Sequence, residues 1–336
     1  MHDIGALTVK ERDELIQMDV ENPEPHCSLG SYMLESFEPF HAVAKIVFYH
    51  HWDYRRDLEF VPEKGSVPIE AYLLHVADRT DVLIDPSIPL LKQRKNVMER
   101  IQEKDGLLFH PQAVKAFEKA AQKDSFWLDI DNMTMEDVLN SAVSKEFSFD
   151  MSMDLMEQFA FTLSKIIDSR SRFTISHSFG VSEVAYCIAT LMGYPEEKCR
   201  EIRVAGLLHD MGKIAIPTEI IEKQGSLTAE EREDIQTHAY YTNLILQDMD
   251  GLGDIVDWAS CHHENHDGTG YPKNLLEHNI TEEMDIISYA DIYMALSENR
   301  PYRHGLSQEE ILDIMKKQFE NKHGTIVFQI LEKMCA

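Results

Sequence analysis

Four landmarks bearing histidine or aspartate occur in the same order in both halves of this 336-residue chain. His-Asp stands at 2–3 and again at 209–210. LTVKERDELI (7–16) is echoed by LTAEEREDIQ (227–236). A lone histidine follows, His26 or His238, and 24 residues later comes a pair, His50-His51 or His262-His263. From the second histidine of the pair, 27 residues lead to Asp78 and 28 lead to Asp291. Internal self-similarity of this kind marks a duplicated structural unit. It predicts two related domains, residues 1–122 and 151–336. The connecting segment 123–150 carries no landmark and is not Gly/Ser-rich.

The length suits two domains of ordinary size, each able to bury a core. Strand-like alternation is scarce and amphipathic periodicity is common, so both domains are expected to be all-α helical bundles. A formal charge of -27 opposes a nucleic-acid polymer or an anionic membrane surface as main partner. A small anionic ligand stays open, because a metal site can reverse the local field. Cys27, Cys187, Cys199, Cys261 and Cys335 form no C-x-x-C pair, which predicts neither a thiolate zinc site nor a disulfide framework. The segment MHDIGALTVKERDEL is too charged for a signal peptide, and no apolar run reaches the roughly 20 residues of a membrane span. The expected compartment is the cytoplasm, with homodimerisation or signalling-protein partners left open.

In the second copy each polar landmark continues an apolar stripe. His177 lines up with Val181, Val184, Ile188 and Leu191, and His209 with Ile202 and Ala205. His238 lies between Ile235 and Thr242, His262 follows Ile255 and Trp258, and Asp291 follows Met284 and Ile287. Steps of three or four residues put such side chains on the helix face that turns to the core. One histidine in that position is ordinarily a hydrogen-bonded core residue. Seven ordered donors, His177, His209, Asp210, His238, His262, His263 and Asp291, instead point to bound cations, which remove the cost of burying charge. They exceed what one tetrahedral ion needs and suit two ions with Asp210 as bridge. His262 and His263, placed on one helix, are expected to diverge by about 100° and serve different ions or opposite sides of a cluster.

HDMGK (209–213), HHENHDGTGYP (262–272) and ADIYMALSENRPYR (290–303) together resemble the HD-GYP phosphohydrolases over roughly 150–336. RSRFTISHS (170–178) and the earlier FWLD resemble a tandem subgroup in which a divergent HD-like domain precedes the active one. The resemblance implies a helical bundle of the HD-domain superfamily and a centre of two or three divalent ions, iron or manganese foremost, with zinc and nickel compatible with the donors. It implies the seven donors above as ligands. Phe173 stands where trimetal members have a glutamate, which predicts two ions. It also implies a cyclic dinucleotide substrate, cyclic di-GMP, opened to pGpG or taken on to GMP by a metal-bridging hydroxide. Asp210 and Lys213 are the expected catalytic residues, with Lys213 at the scissile phosphate. Arg300 and Arg303 are expected to hold substrate phosphates, and Gly270, Tyr271 and Pro272 to border the guanine.

Other readings of these residues stay open. Without the resemblance, Lys213 reads as a solvated helix-end lysine, the two arginines read equally as surface charge, and Tyr271 either stacks a base or caps the core. Met294 replaces a common family acid, and the Gly-Phe-Asp-Pro type of tail is missing near 323–333, although DGLLFHPQAVKAF (105–117) keeps a version of it. The alternatives are another cyclic dinucleotide or nucleotide as substrate, or a catalytically weak sensor. The first copy lacks a helix before His2 and has Ala6 where the second has Lys213, so it is expected to be an inactive remnant.

Overall fold

The two Leu-Thr-x-x-Glu stretches become helix starts of one construction. Thr8 Oγ1 accepts from the Glu11 amide at 3.1 Å, and the Glu11 carboxylate accepts from the Thr8 amide at 2.9 Å. Thr228 and Glu231 repeat the exchange at 3.2 and 2.7 Å. Each box satisfies amides that a helix N-terminus otherwise leaves without partners. The copies then diverge. The second runs on as one helix, Ala229–Leu246, which carries His238. The first stops at Val9–Leu15, and His26 rides on a new helix, Glu24–Leu34, opened by Pro23 and Pro25. Proline fits the first turn of a helix but not its interior, so the two prolines break what the second copy keeps continuous.

The computed structural model describes all residues except 19, 21, 58–64, 133, 135, 136, 138–150, 172–175, 299–303, 320–325 and 336. The chain divides into two units, Met1–Asp150 and Met151–Ala336. The first contains α1 (Val9–Leu15), α2 (Glu24–Leu34), α3 (His41–Tyr49), α4 (Tyr54–Asp57), α5 (Ile69–Val82), α6 (Leu90–Gln102), α7 (Pro111–Ala121) and α8 (Asp124–Asn132). The second contains α9 (Met153–Asp168), α10 (His177–Met192), α11 (Glu196–Leu208), α12 (Thr218–Ile221), α13 (Ala229–Leu246), α14 (Ile255–Ser260), α15 (Glu282–Ser297), α16 (Gln308–Phe319) and α17 (Ile326–Cys335). Short 3-10 turns cover Glu38–Phe40, Met211–Ala215 and Glu277–Asn279. The described residues form no strand beyond two isolated bridges, so the fold is all-α. None of their helices is long and apolar enough to cross a membrane.

The core of the first unit joins Tyr72 and Val76 of α5, Val97 and Ile101 of α6, Val114 and Phe117 of α7, and Trp127 of α8. Trp127 is fully buried and donates from Nε1 to Ala121 O at 2.8 Å. The start of the segment expected to connect the domains therefore belongs to the first unit's core, because Phe126 and Trp127 have apolar area to bury there. Most of the remainder, 133–150, lies outside the described residues. In the second unit Ala185 and Ile188 of α10, Ile202 and Ala205 of α11, Leu246 of α13 and Ile286 and Ala290 of α15 build one core.

Two glycines show why the His-Asp turns sit where they do. A Cβ on Gly212 would stand 1.9 Å from His238 O and 2.5 Å from Thr242 N. A Cβ on Gly5 would stand 2.1 Å from His26 O and 2.6 Å from Gly30 N. In each unit the chain just after His-Asp lies flat against the helix bearing the lone histidine, at a distance only glycine permits.

Candidate metal centre

The bundle delivers the seven donors of the second unit to one place, from helix interiors and from helix ends. His177 is the first residue of α10, while His238 and Asp291 lie within α13 and α15. His209 and Asp210 follow directly on α11 and lead into the turn Met211–Ala215. The apolar residues in step with them, Val181, Ile188, Ile202, Ala205, Ile255, Trp258, Met284 and Ile287, are buried, and only Leu191 of the expected stripes faces solvent.

One expectation needs correcting. His262 and His263 do not share a helix, because α14 ends at Ser260 and both lie in the turn beyond it. Their ring centroids are 4.0 Å apart with planes inclined by 47°. Glu264 ends the helix here. Its buried carboxylate accepts from the Lys273 amide at 2.6 Å and from the Leu275 amide at 2.8 Å, and so folds the chain back on itself.

The imidazoles are aimed by hydrogen bonds on their outer nitrogens. Nδ1 of His209 donates to Gly206 O at 2.7 Å, that of His238 to Ile235 O at 2.6 Å, and that of His262 to Ala259 O at 2.7 Å. A carbonyl can only accept, so these rings carry their proton on Nδ1 and turn Nε2 inward, the arrangement that orients a metal-binding histidine. Inside, Asp210 Oδ2 lies 3.2 Å from His209 Nε2 and Asp210 Oδ1 3.6 Å from His238 Nε2. His177 Nε2 lies 3.0 Å from Asp291 Oδ1.

The donors fit cations. His238 Nε2 and His262 Nε2 face each other at 3.5 Å, yet both rings hold their proton on the far nitrogen. Lone pairs meet lone pairs, and an ion between them is what removes the conflict. The donors group as His238, His262 and His263; as His177, His209 and Asp291; and as His209, Asp210 and His262. The third group takes His209 from one outer set and His262 from the other, and Asp210 joins them.

Charge follows the same pattern. Burial holds His238, His262 and His263 below the ordinary histidine range, His263 at about 3, so they are neutral donors. Burial also opposes charge on His177, but hydrogen bonds to Asp291 and Glu298 outweigh it and raise the pKa to about 10. His209 is raised likewise, with Asp210 overcoming burial. Burial would raise Asp210, but His209 and Lys213 hold it well below the carboxylate range. Protons on His177 and His209 supply the positive charge that the carboxylates require, and metal ions would take their place.

Lys213 is partly buried and ion-paired. Its Nζ lies 2.5 Å from Asp210 Oδ2, one helical turn along the chain. Tyr271 places its ring 4.8 Å from that of His263 at 39°, and the Tyr271 amide donates to His263 O at 3.2 Å. Gly270 lets the backbone of Glu264 and Asn265 approach to 2.4 and 2.3 Å of where its Cβ would be, which seats the Gly-Tyr-Pro turn on the histidine pair. Pro272 follows Tyr271 through a cis bond. Phe173, Arg300 and Arg303 lie outside the described residues. Met294 packs against Gly180.

Two contributors escaped sequence reasoning. Glu298 Oε2 lies 3.1 Å from His177 Nδ1, from just past the end of α15 where no periodicity points to it. Thr242 Oγ1 accepts from the Gly212 amide at 2.9 Å and donates to His209 O at 3.0 Å. Its signal was available, as a polar residue one turn after His238 on the buried face.

The chain is similar to known proteins. A family model described as HD domain matches residues 162–324. The chain is similar to a 3′3′-cGAMP-specific phosphodiesterase of Vibrio cholerae serotype O1, 29% identical over 95% of this chain and 75% of that protein. It is also similar to a cyclic di-GMP phosphodiesterase response regulator of Xanthomonas campestris pv. campestris, 34% identical over 54% of this chain and 50% of the relative. The fold is similar to a crystal structure of a cyclic GMP-AMP specific phosphodiesterase from Vibrio cholerae, with a TM-score of 0.53 and 22% identity over 97% of this chain and 73% of that one.

Proposed function

Residues 162–324 make this chain a member of the HD-domain family, and on that premise we propose that it is a metal-dependent phosphohydrolase opening a phosphodiester of a cyclic dinucleotide. The observation that carries this reading is the convergence of seven nitrogen and oxygen donors, several with inward lone pairs, beside a lysine amine. When bound, two divalent ions, iron or manganese foremost, supply an acidified water and neutralise charge on the phosphate oxygens. The protein does the rest. His238, His262 and His263 would hold one ion and His177, His209 and Asp291 the other, with Asp210 a donor beside His209 and His262. Carbonyl bonds to Nδ1 of His209, His238 and His262 fix ring orientation before substrate arrives. Lys213 Nζ, held at Asp210, donates a proton to the leaving sugar oxygen. Arg300 and Arg303 grip the second phosphate through charge-assisted hydrogen bonds. Gly270, Tyr271 and Pro272 border one base.

Relatives that align along 95% and 90% of the chain bear 3′3′-cGAMP-specific names, which favours that nucleotide as substrate. Cyclic di-GMP, the substrate the motifs first suggest, is the second reading and is favoured by the Xanthomonas relative. A cytoplasmic setting suits either substrate. Residues 1–150 are proposed as a divergent copy of the same domain. Matching capping boxes and the equivalent close approaches at Gly5 and Gly212 support that reading.

The test is anaerobic purification with manganese or iron, followed by assay of both nucleotides. Turnover is expected in the wild type and should be lost in a His209→Ala, Asp210→Ala double variant. Tight binding without turnover in metal-loaded protein would overturn the enzyme in favour of a sensor.

A further inference from the structure

The first unit was expected to be a remnant, yet its donors are assembled. We infer that it holds its own metal site, a single divalent ion bound by Asp3, His26 and His50 with His51 as fourth donor. This goes beyond the proposed activity and does not depend on it.

The donors arrive as in the second unit. Asp3 lies in the turn held against α2 by Gly5, His26 is on α2, and His50 and His51 follow the end of α3. His26, His50 and His51 are 6%, 0% and 6% exposed. His50 Nε2 lies 3.3 Å from Asp3 Oδ1 and 3.3 Å from His26 Nε2, and His26 Nε2 lies 3.5 Å from Asp3 Oδ1. Donors about 2.1 Å from one ion in tetrahedral array stand about 3.4 Å apart, so the three separations outline one coordination sphere. His50 Nδ1 donates to Val47 O at 2.6 Å, three residues back, as His262 does to Ala259. Its lone pair therefore meets the Asp3 carboxylate and the His26 nitrogen, a contact that a cation resolves. His51 Nε2 is buried with no hydrogen-bond partner.

One ion, not two, follows from Arg79. Asp78 stands where Asp291 stands in the second copy, but the next residue is Arg79 instead of Ile292. Arg79 is 1% exposed and binds Asp78 Oδ2 through Nη2 at 2.6 Å and Nε at 2.9 Å, while Nη2 also donates to Leu15 O at 3.0 Å. The guanidinium thus already neutralises Asp78, the carboxylate that a second ion beside His2 and Asp3 would need. With Ala6 in place of Lys213 the site has no proton donor at that position, so the ion is structural. Nitrogen and oxygen donors without thiolate select a borderline divalent ion, for which zinc is a suitable probe.

Two measurements on the full chain test this. Zinc content after equilibrium dialysis is expected to fall by one ion per chain in an Asp3→Ala, His50→Ala variant that keeps wild-type far-UV dichroism. Unchanged content overturns the site. Should that variant lose its helicity, hydrogen exchange of the wild type decides. Peptides covering 24–51 should exchange at least tenfold more slowly with zinc than with chelator. If they exchange alike while peptides around His209 and His262 respond to zinc, the inference is wrong.

Discussion

Thr242→Val isolates the force that locks the His-Asp turn. The hydroxyl of this fully buried residue joins two backbone groups, the Gly212 amide at 2.9 Å and the His209 carbonyl at 3.0 Å. Valine has the same shape but can serve neither. A buried polar group left without a partner costs about 1–3 kcal/mol, so two such groups cost about 2–6 kcal/mol. For a unit of this size each kcal/mol lowers the melting midpoint by about 2–4 °C, which sets a drop of at least about 4 °C. Thr242→Ser keeps the hydroxyl and loses only a methyl, so it should fall by about half as much or less. The assay is thermal unfolding by far-UV dichroism with chelator and with zinc. Metal affinity should also weaken by about 10–100-fold, because the turn carries His209 and Asp210. A valine variant melting within about 1 °C of wild type, with unchanged affinity, would refute the reasoning.

Other outcomes follow from the same geometry. In Gly212→Ala the new Cβ meets His238 O at 1.9 Å where ordinary contact begins at 3.4 Å, so the turn must retreat by about 1.5 Å. Misplacement on the order of 1 Å at a reacting centre costs about 100-fold, and turnover measured by nucleotide chromatography should fall by about that factor. Lys213→Met should lower turnover by about 10²–10⁴-fold while zinc content by mass spectrometry stays at the wild-type value. Zinc binding near pH 7.5 should release protons, because His177, raised to about 10 by Asp291 and Glu298 against its burial, is charged there and a coordinating imidazole is neutral. Affinity should therefore rise with pH up to about 10. Calorimetry in buffers of different ionisation enthalpy checks this, and a buffer-independent heat would contradict it.

The donor set could be read in the chain because burying histidine and aspartate in step with apolar residues is costly without a purpose, and that pattern is linear. What spacing could not give was the state of the helix at each donor. Periodicity extended α14 through His262 and His263, whereas Glu264, bound to two amides across the turn, ends it sooner. Glu298 was missed because it acts through one side-chain contact past a helix end, which leaves no period, and Thr242 because its two hydrogen bonds go to backbone groups that carry no sequence signal. The break between α1 and α2 was signalled by Pro23 and Pro25, and the repeat hid it by drawing attention to what matched. Trp127 lay outside the repeat, in the FWLD stretch, and its packing places it in the core of the first unit.

The ion pair between His177 and Asp291 joins residues 114 positions apart. A cation seated there closes that loop as a clasp would, and it binds only the folded chain. The surplus of free ion over its dissociation constant then adds directly to resistance against unfolding, by about 2.7 kcal/mol at a hundredfold excess. Survival of this unit in the presence of a protease should accordingly track the cell's supply of the metal, even when no nucleotide is being hydrolysed.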